Sequence, residues 1–189
     1  MVNESQQQAL LDLAEAAIRH ALLHGRALHI DPAAYDEALR MPAACFVTLK
    51  RNGELRGCIG SLEAHRSMVV DVAHNADAAA FSDPRFPPLR EEELRGLELD
   101  ISLLTPAEEM HFGSEQELIA QLRPGVDGLI LEEGYRRGTF LPSVWEQLPQ
   151  PTQFLQHLKL KAGLPPNHWS GNIRISRYTT QIFGRLLEG

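Results

Sequence analysis

The stretch that most constrains this chain is Phe46-Val47-Thr48-Leu49-Lys50-Arg51-Asn52-Gly53-Glu54-Leu55-Arg56-Gly57-Cys58-Ile59-Gly60. Two short apolar runs flank Asn52-Gly53, the pair that best suits a two-residue hairpin turn, because both central positions need φ > 0. Such a turn sets Arg51 against Glu54, Leu49 against Arg56 and Val47 against Cys58. Side chains alternate along a strand, so Cys45, Val47 and Leu49 are expected on one face with Arg56, Cys58 and Gly60. Gly57 and Gly60 bracket the cysteine where a strand interior would normally carry side chains. That is the mark of a bulge, or of close approach by a ligand or another backbone. A thiol two residues from a guanidinium, between glycines, is the first candidate for a site.

The remaining numbers bound what such a hairpin can belong to. A chain of 189 residues, 43% hydrophobic and 23% charged, fits one ordinary domain or a main domain with a small subdomain. The net charge is −7 with both signs mixed along the chain, which argues against a nucleic-acid binder, since that would need a clustered basic face. The N-terminus shows no basic segment leading into an apolar run, and no apolar stretch nears the ~20 residues of a membrane span. A cytoplasmic chain with no membrane segment is therefore expected. In the register above, Cys45 and Cys58 are diagonal neighbours about 7–8 Å apart, beyond easy disulfide reach, so both are expected as reduced thiols.

Along the chain, an apolar repeat at Leu10, Leu13, Ala14, Ala17, Ile18, Ala21 and Leu22 predicts a helix from about Ser5 to His24, stopped by Gly25. Asp31-Pro32 predicts a short capped helix to about Arg40. A second long helix is expected from Ser67 to Phe81, with a face of small residues suited to close packing on a sheet. Leu97, Leu99, Ile101 and Leu103 alternate with Glu98, Asp100 and Ser102, a strand with one buried face. Ser114-Glu115-Gln116-Glu117 reads as a capping box, and Leu129–Glu132 with Arg137–Leu141 as a strand pair. Thr152 is expected to cap a helix that leaves at Gly163, and residues 173–183 to form one long final strand. The class is α+β: a largely antiparallel, possibly mixed sheet flanked by helices.

The segment Leu55-Arg56-Gly57-Cys58-Ile59-Gly60 resembles the signature of the AMMECR family, whose bacterial and archaeal members are labelled AmmeMemoRadiSam system protein A. Further stretches fit in the same order: 79–89 (Ala79 to Leu89), Ser102-Leu103-Leu104-Thr105-Pro106, 125–130, Leu141-Pro142 and Leu160-Lys161-Ala162-Gly163-Leu164. The resemblance implies a larger part holding both termini and a smaller subdomain, within a single family domain spanning residues 1–189. No feature of the sequence marks the boundary. It also implies a shared pathway with a Memo-like protein and a radical S-adenosylmethionine enzyme. Lys159 stands where the resemblance leads one to expect cysteine, which leaves no second thiol on that helix.

The candidate residues each carry two readings. Cys58 is a nucleophile or redox thiol if a cation activates it, or a small apolar packing residue. Arg56 anchors an anion bidentately, or closes the sheet edge by pairing with Glu54 or Asp83. Gly57 and Gly60 offer backbone N–H groups to a ligand. Asp83 and Arg85, held in a proline-stiffened loop, line a pocket or tie that loop to the sheet. His157 and Lys161 lie one helical turn apart and join the candidates, or simply suit a helix C-terminus. His20 and His24 have the spacing of two metal ligands but no third partner at matching spacing, so no metal is expected. No cofactor is expected either: there is no dinucleotide fingerprint, and no cysteine triad for an iron–sulfur cluster. Two functions follow: a small molecule held or acted on near Cys58, or a binding and adaptor module without chemistry.

Overall fold

The computed structural model describes residues 1–188 and resolves the chain into two compact units. In chain order the elements are α1 (Glu4–His24), α2 (Glu37–Arg40), β1 (Ala44–Arg51), β2 (Glu54–Gly60), α3 (Met68–Phe81), β3 (Leu97–Leu104), β4 (Glu108–Glu109), α4 (Glu115–Gln121), β5 (Gly128–Glu133), β6 (Arg136–Phe140), α5 (Pro151–Lys161), β7 (Arg174–Tyr178) and β8 (Thr180–Leu186). The first unit takes Met1–Leu104 and the stretch from Gln181 onward; the second takes Thr105–Thr180. The class is α+β, with one four-stranded sheet in each unit, ordered β2-β1-β3-β8 and β4-β7-β5-β6.

In the first unit, Asn3 and Gln6 exchange side-chain hydrogen bonds with each other's backbone N–H, closing the start of α1. Gly25, at φ 64°, ends it. The expected Asp31–Arg40 helix is instead a 3-10 turn over Pro32–Ala34 followed by α2, because the backbone is extended at Tyr35.

Asn52 and Gly53 take positive φ, 54° and 78°, and Arg51 pairs with Glu54 as expected. Beyond that point the expected register fails. Lys50 pairs with Leu55 and Leu49 with Gly57, leaving Arg56 as an extra, bulged residue. The slip of one residue turns Cys58 to the opposite face, where its partner is Thr48 rather than Val47. Cys45 and Cys58 are therefore on opposite sides of the sheet, and both thiols are free.

Helices cover one of those sides. α3 lies on β1 and β2, and α1 lies on α3. Cys45, Val47, Leu49, Leu97, Leu99 and Ile101 are buried beneath them. Gly57 marks the closest approach: a Cβ there would stand 2.1 Å from the carbonyl oxygen of Ala79 on α3. A bulge beside that glycine and close approach by another backbone are both realised. The other side carries Phe46, Thr48, Lys50, Cys58 and Asp100, all half-buried.

The second unit packs α4 and α5 with its sheet around Leu118, Leu129, Leu131, Phe154, Leu155, Leu158 and Ile175. Trp145 stacks on Phe154 with ring centroids 3.7 Å apart, and its indole N–H donates to the Asp127 carbonyl at 2.7 Å. Asp127, fully buried, accepts from the backbone N–H and the guanidinium of Arg123, which fixes the turn entering β5. Two further expectations change here. Gln150, not Thr152, is the N-cap of α5, since Pro151 takes the first helical position. The expected final strand splits at Thr179 into β7 of this unit and β8 of the other sheet. At the split, Thr105 N–H donates to the Thr179 carbonyl, and Thr179 N–H donates to Thr105 Oγ1.

Candidate functional site

The bulge that turns Cys58 over also decides its neighbours. On the open side of the sheet, Cys58 on β2, Thr48 on β1 and Asp100 on β3 form one cross-strand row. The Cys58 Sγ lies 3.3 Å from Thr48 Oγ1. Asp100 is ion-paired with Lys50 at 2.9 Å. The row continues to β8, where a Cβ on Gly184 would stand 2.1 Å from Asp100 Oδ1, so a larger residue would displace the carboxylate. A thiol, a hydroxyl, a carboxylate and an ammonium group thus share one half-exposed surface. Gly60, at the end of β2, is covered by the Phe46 ring, which lies 2.4 Å from where its Cβ would stand. Close contact, with the α3 backbone at Gly57 and with the Phe46 ring and Cys45 carbonyl at Gly60, is what these glycines provide, rather than an open N–H cradle.

β2 is an edge strand, and its outward backbone groups at Cys58 need partners. Asp83 and Arg85 supply both. The Cys58 N–H donates to Asp83 Oδ2 at 2.9 Å, and Arg85 Nη2 donates to the Cys58 carbonyl at 3.2 Å. Arg85 also binds both oxygens of Asp83, through Nε at 2.9 Å and Nη2 at 2.7 Å. These Arg85 hydrogen bonds, helped by the Cys58 N–H, hold the buried Asp83 carboxyl well below the usual carboxylate range. The proline-stiffened loop is tied to the sheet edge at the cysteine, so it fixes the backbone from which Sγ projects. The guanidinium beside Cys58 is therefore that of Arg85.

Arg56 is committed elsewhere. Its Nε and Nη2 bind the two oxygens of Glu93 at 2.8 and 3.0 Å, with the Phe86 ring 5.9 Å from its Cζ. Arg56 lowers the Glu93 carboxyl to about 2. The edge-closing reading of Arg56 is thus seen with Glu93, a partner the sequence reading did not name. Glu93 lies 37 residues away along the chain, and its 3-10 turn leaves no periodic signal.

Cys45 is the contrasting thiol. It is fully buried, with Sγ 3.3 Å from Asp71 Oδ2 and Asn75 donating to its carbonyl at 3.1 Å. Burial, then the Asp71 charge, pushes this thiol well up from its ordinary value.

His157 and Lys161 belong to the second unit, and the His20–His24 pair to α1 of the first. His157 and Lys161 are exposed, and the Lys161 ammonium stands 5.1 Å from the Phe140 ring centroid. Lys159 is the unexpected member of α5: it is completely buried, paired with Glu115 and 5.5 Å from the Trp169 ring centroid. His168, Glu133 and Ser170 also cluster, with His168 Nε2 2.8 Å from Glu133 Oε2 and the Ser170 hydroxyl on Oε1. The carboxylate stands between ring and hydroxyl, so histidine is not placed as the base of a serine nucleophile. His20 and His24 stack with ring centroids 4.4 Å apart, and burial lowers the pKa of His20. Among the described residues no group of three or more His, Cys, Asp or Glu side chains could hold a metal ion. No helix among them is long and apolar enough to cross a membrane.

Comparison with known proteins covers both units. The AMMECR1 family profile matches residues 11–183. A protein of Methanothermobacter thermautotrophicus is 35% identical over 188 residues, covering 96% of this chain and 95% of its own length. One from Methanocaldococcus jannaschii is 37% identical, with 92% of each chain covered. The crystal structure of an uncharacterised protein from Pyrococcus horikoshii is similar with a TM-score of 0.86 at 31% identity, covering 98% of this chain and 94% of that one. The chain belongs to the AMMECR1 family.

Proposed function

We propose that this protein holds a small molecule, or acts on one, against the open side of its first sheet beside Cys58. The observation that carries this reading is the row of Cys58, Thr48 and Asp100, with its thiol half-exposed and 3.3 Å from a hydroxyl. Cys58 is the reactive or ligand-contacting group, and Asp83 and Arg85 hold its backbone. The family resemblance adds Lys161, by its place in the Lys161-Ala162-Gly163-Leu164 stretch, as a separate candidate on α5 of the second unit. On that basis too, the protein serves a pathway shared with a Memo-like protein and a radical S-adenosylmethionine enzyme, and the radical chemistry is the partner's.

A second reading, an adaptor without chemistry, draws on β8. Ile182 and Leu186 are 62% and 60% exposed on that strand, on the side away from the Phe183 that packs into the core. The test is a thermal-shift screen of small molecules against the natural chain, Cys58→Ser and Ile182→Ser/Leu186→Ser. A stabilising compound whose effect disappears only in Cys58→Ser supports the small-molecule reading. Compounds indifferent to Cys58→Ser, together with capture of a purified Memo-like protein that Ile182→Ser/Leu186→Ser abolishes, would replace it with the adaptor.

A further inference from the structure

A second place on the same hairpin has a chemistry of its own. Arg51, Arg56, Arg90, Glu92, Glu93 and Pro87 line a cleft of about 290 Å³. Arg51 has the strand parity of Val47 and Leu49, so this cleft belongs to the side of the hairpin opposite the Cys58 thiol. Three guanidinium groups face two carboxylates, leaving the lining one positive charge in excess.

The carboxylates do not saturate those guanidinium groups. Glu93 is engaged by Arg56 and by the backbone N–H of Arg90 at 2.9 Å. Arg51 Nη1 stands 3.7 Å from Glu93 Oε1, beyond hydrogen-bond distance. The Arg90–Glu92 pair is equally long, 3.7 Å, with side chains 72% and 70% exposed, a contact worth little in water. Arg56 is the most enclosed of the three, 11% exposed, and its Nη1 is buried without a hydrogen-bond partner. A buried guanidinium nitrogen with an unmet donor is costly unless something accepts from it.

We infer that this cleft binds an oxyanion of the phosphate class. Arg51 and Arg90 supply the charge-assisted hydrogen bonds, and the Arg56–Glu93 pair is the fixed wall between them. Guanidinium forks match phosphate oxygens bidentately, and a phosphate presents more oxygens than a carboxylate, so two arginines can each engage a separate pair of them. The role expected of Arg56 from sequence thus passes to its neighbours, while Arg56 positions Glu93. This inference does not depend on Cys58 being reactive.

The test is calorimetric titration of inorganic phosphate into the full chain, with ionic strength held constant by chloride. Saturable binding is expected, weakened about tenfold or more in Arg51→Gln/Arg90→Gln. Both side chains are solvent-facing, and circular dichroism confirms that the double variant folds. Arg26→Gln, which removes an exposed charge elsewhere, should leave binding unchanged, and Glu92→Gln should leave it unchanged or tighten it. Phosphate that fails to saturate, or that binds the double variant as tightly as the natural chain, overturns the inference. So does loss of binding as large in Arg26→Gln as in the double variant. Loss of Cys58-dependent ligands with phosphate binding intact would instead overturn the reading of the open side alone.

Discussion

The two sides of the first sheet are built from the same four strands and are packed differently. On the covered side, Val47, Leu49, Leu97, Leu99 and Ile101 are sealed under α3 and α1, and the one thiol there, Cys45, is locked to Asp71 and Asn75. On the open side, a parallel row of positions carries Thr48, Cys58, Asp100 and Lys50, half-buried and polar. The covered side tolerates no empty space, because buried apolar surface dominates folding. The open side needs only enough packing to keep its polar groups in register. On β2 the assignment turns on a single bulged residue, Arg56, which reverses the side-chain parity of that strand and brings Cys58 to the open side.

The largest effect should come from emptying the covered side. Leu99→Ala removes a fully buried side chain and should lower stability by about 2–5 kcal/mol, read by urea denaturation. Adding volume there comes next. Gly57→Ala places a Cβ 2.1 Å from the Ala79 carbonyl oxygen and should cost about 1–3 kcal/mol as α3 is pushed off β2. A Gly57→Ala protein as stable as the natural chain would break the comparison at its closest contact.

Acid tests the edge between the two sides. Glu93 titrates at about 2 in the folded protein, against 4.5 ordinarily, chiefly through its Arg56 hydrogen bonds. A carboxyl lowered by folding stabilises fully above its unfolded pKa, and this contribution is lost as pH falls from about 4.5 towards 2. Asp83 is lowered too and loses its contribution in the same direction. Arg56→Gln should therefore lose less stability than the natural chain over that window, followed by thermal melts at stepped pH. The smallest effect belongs to the open side: Asp100→Asn breaks a pair whose side chains are 28% and 40% exposed and should cost about 0–1 kcal/mol.

The two long helices α1 and α3, the Asn52-Gly53 turn and the strand at Leu97–Leu104 were legible because periodicity and turn chemistry are local signals. The register was not, since a bulge costs the chain only one residue, and the glycines at 57 and 60 allow for one without placing it at Arg56. The division of residues 173–183 between two sheets hung on hydrogen bonds from Thr179 to Thr105, a partner 74 residues away. The candidate site was legible in part. Cys58, Asp83 and Arg85 do come together, drawn by backbone groups of an edge strand. Glu93, Arg51 and Arg90 carried no pattern, and the burial of Lys159 depends on Glu115 and Trp169 from distant segments.

The most direct test of the two-sided account is peptide-mapped alkylation of Cys45 and Cys58 in the folded protein, with Cys58→Ser and Cys45→Ser as controls. The account expects Cys58 to be modified in the native state while Cys45, fully buried, is protected until the chain unfolds. Equal protection of both thiols, or modification of Cys45 first, would contradict it, because the bulge would then not have turned Cys58 to the open side.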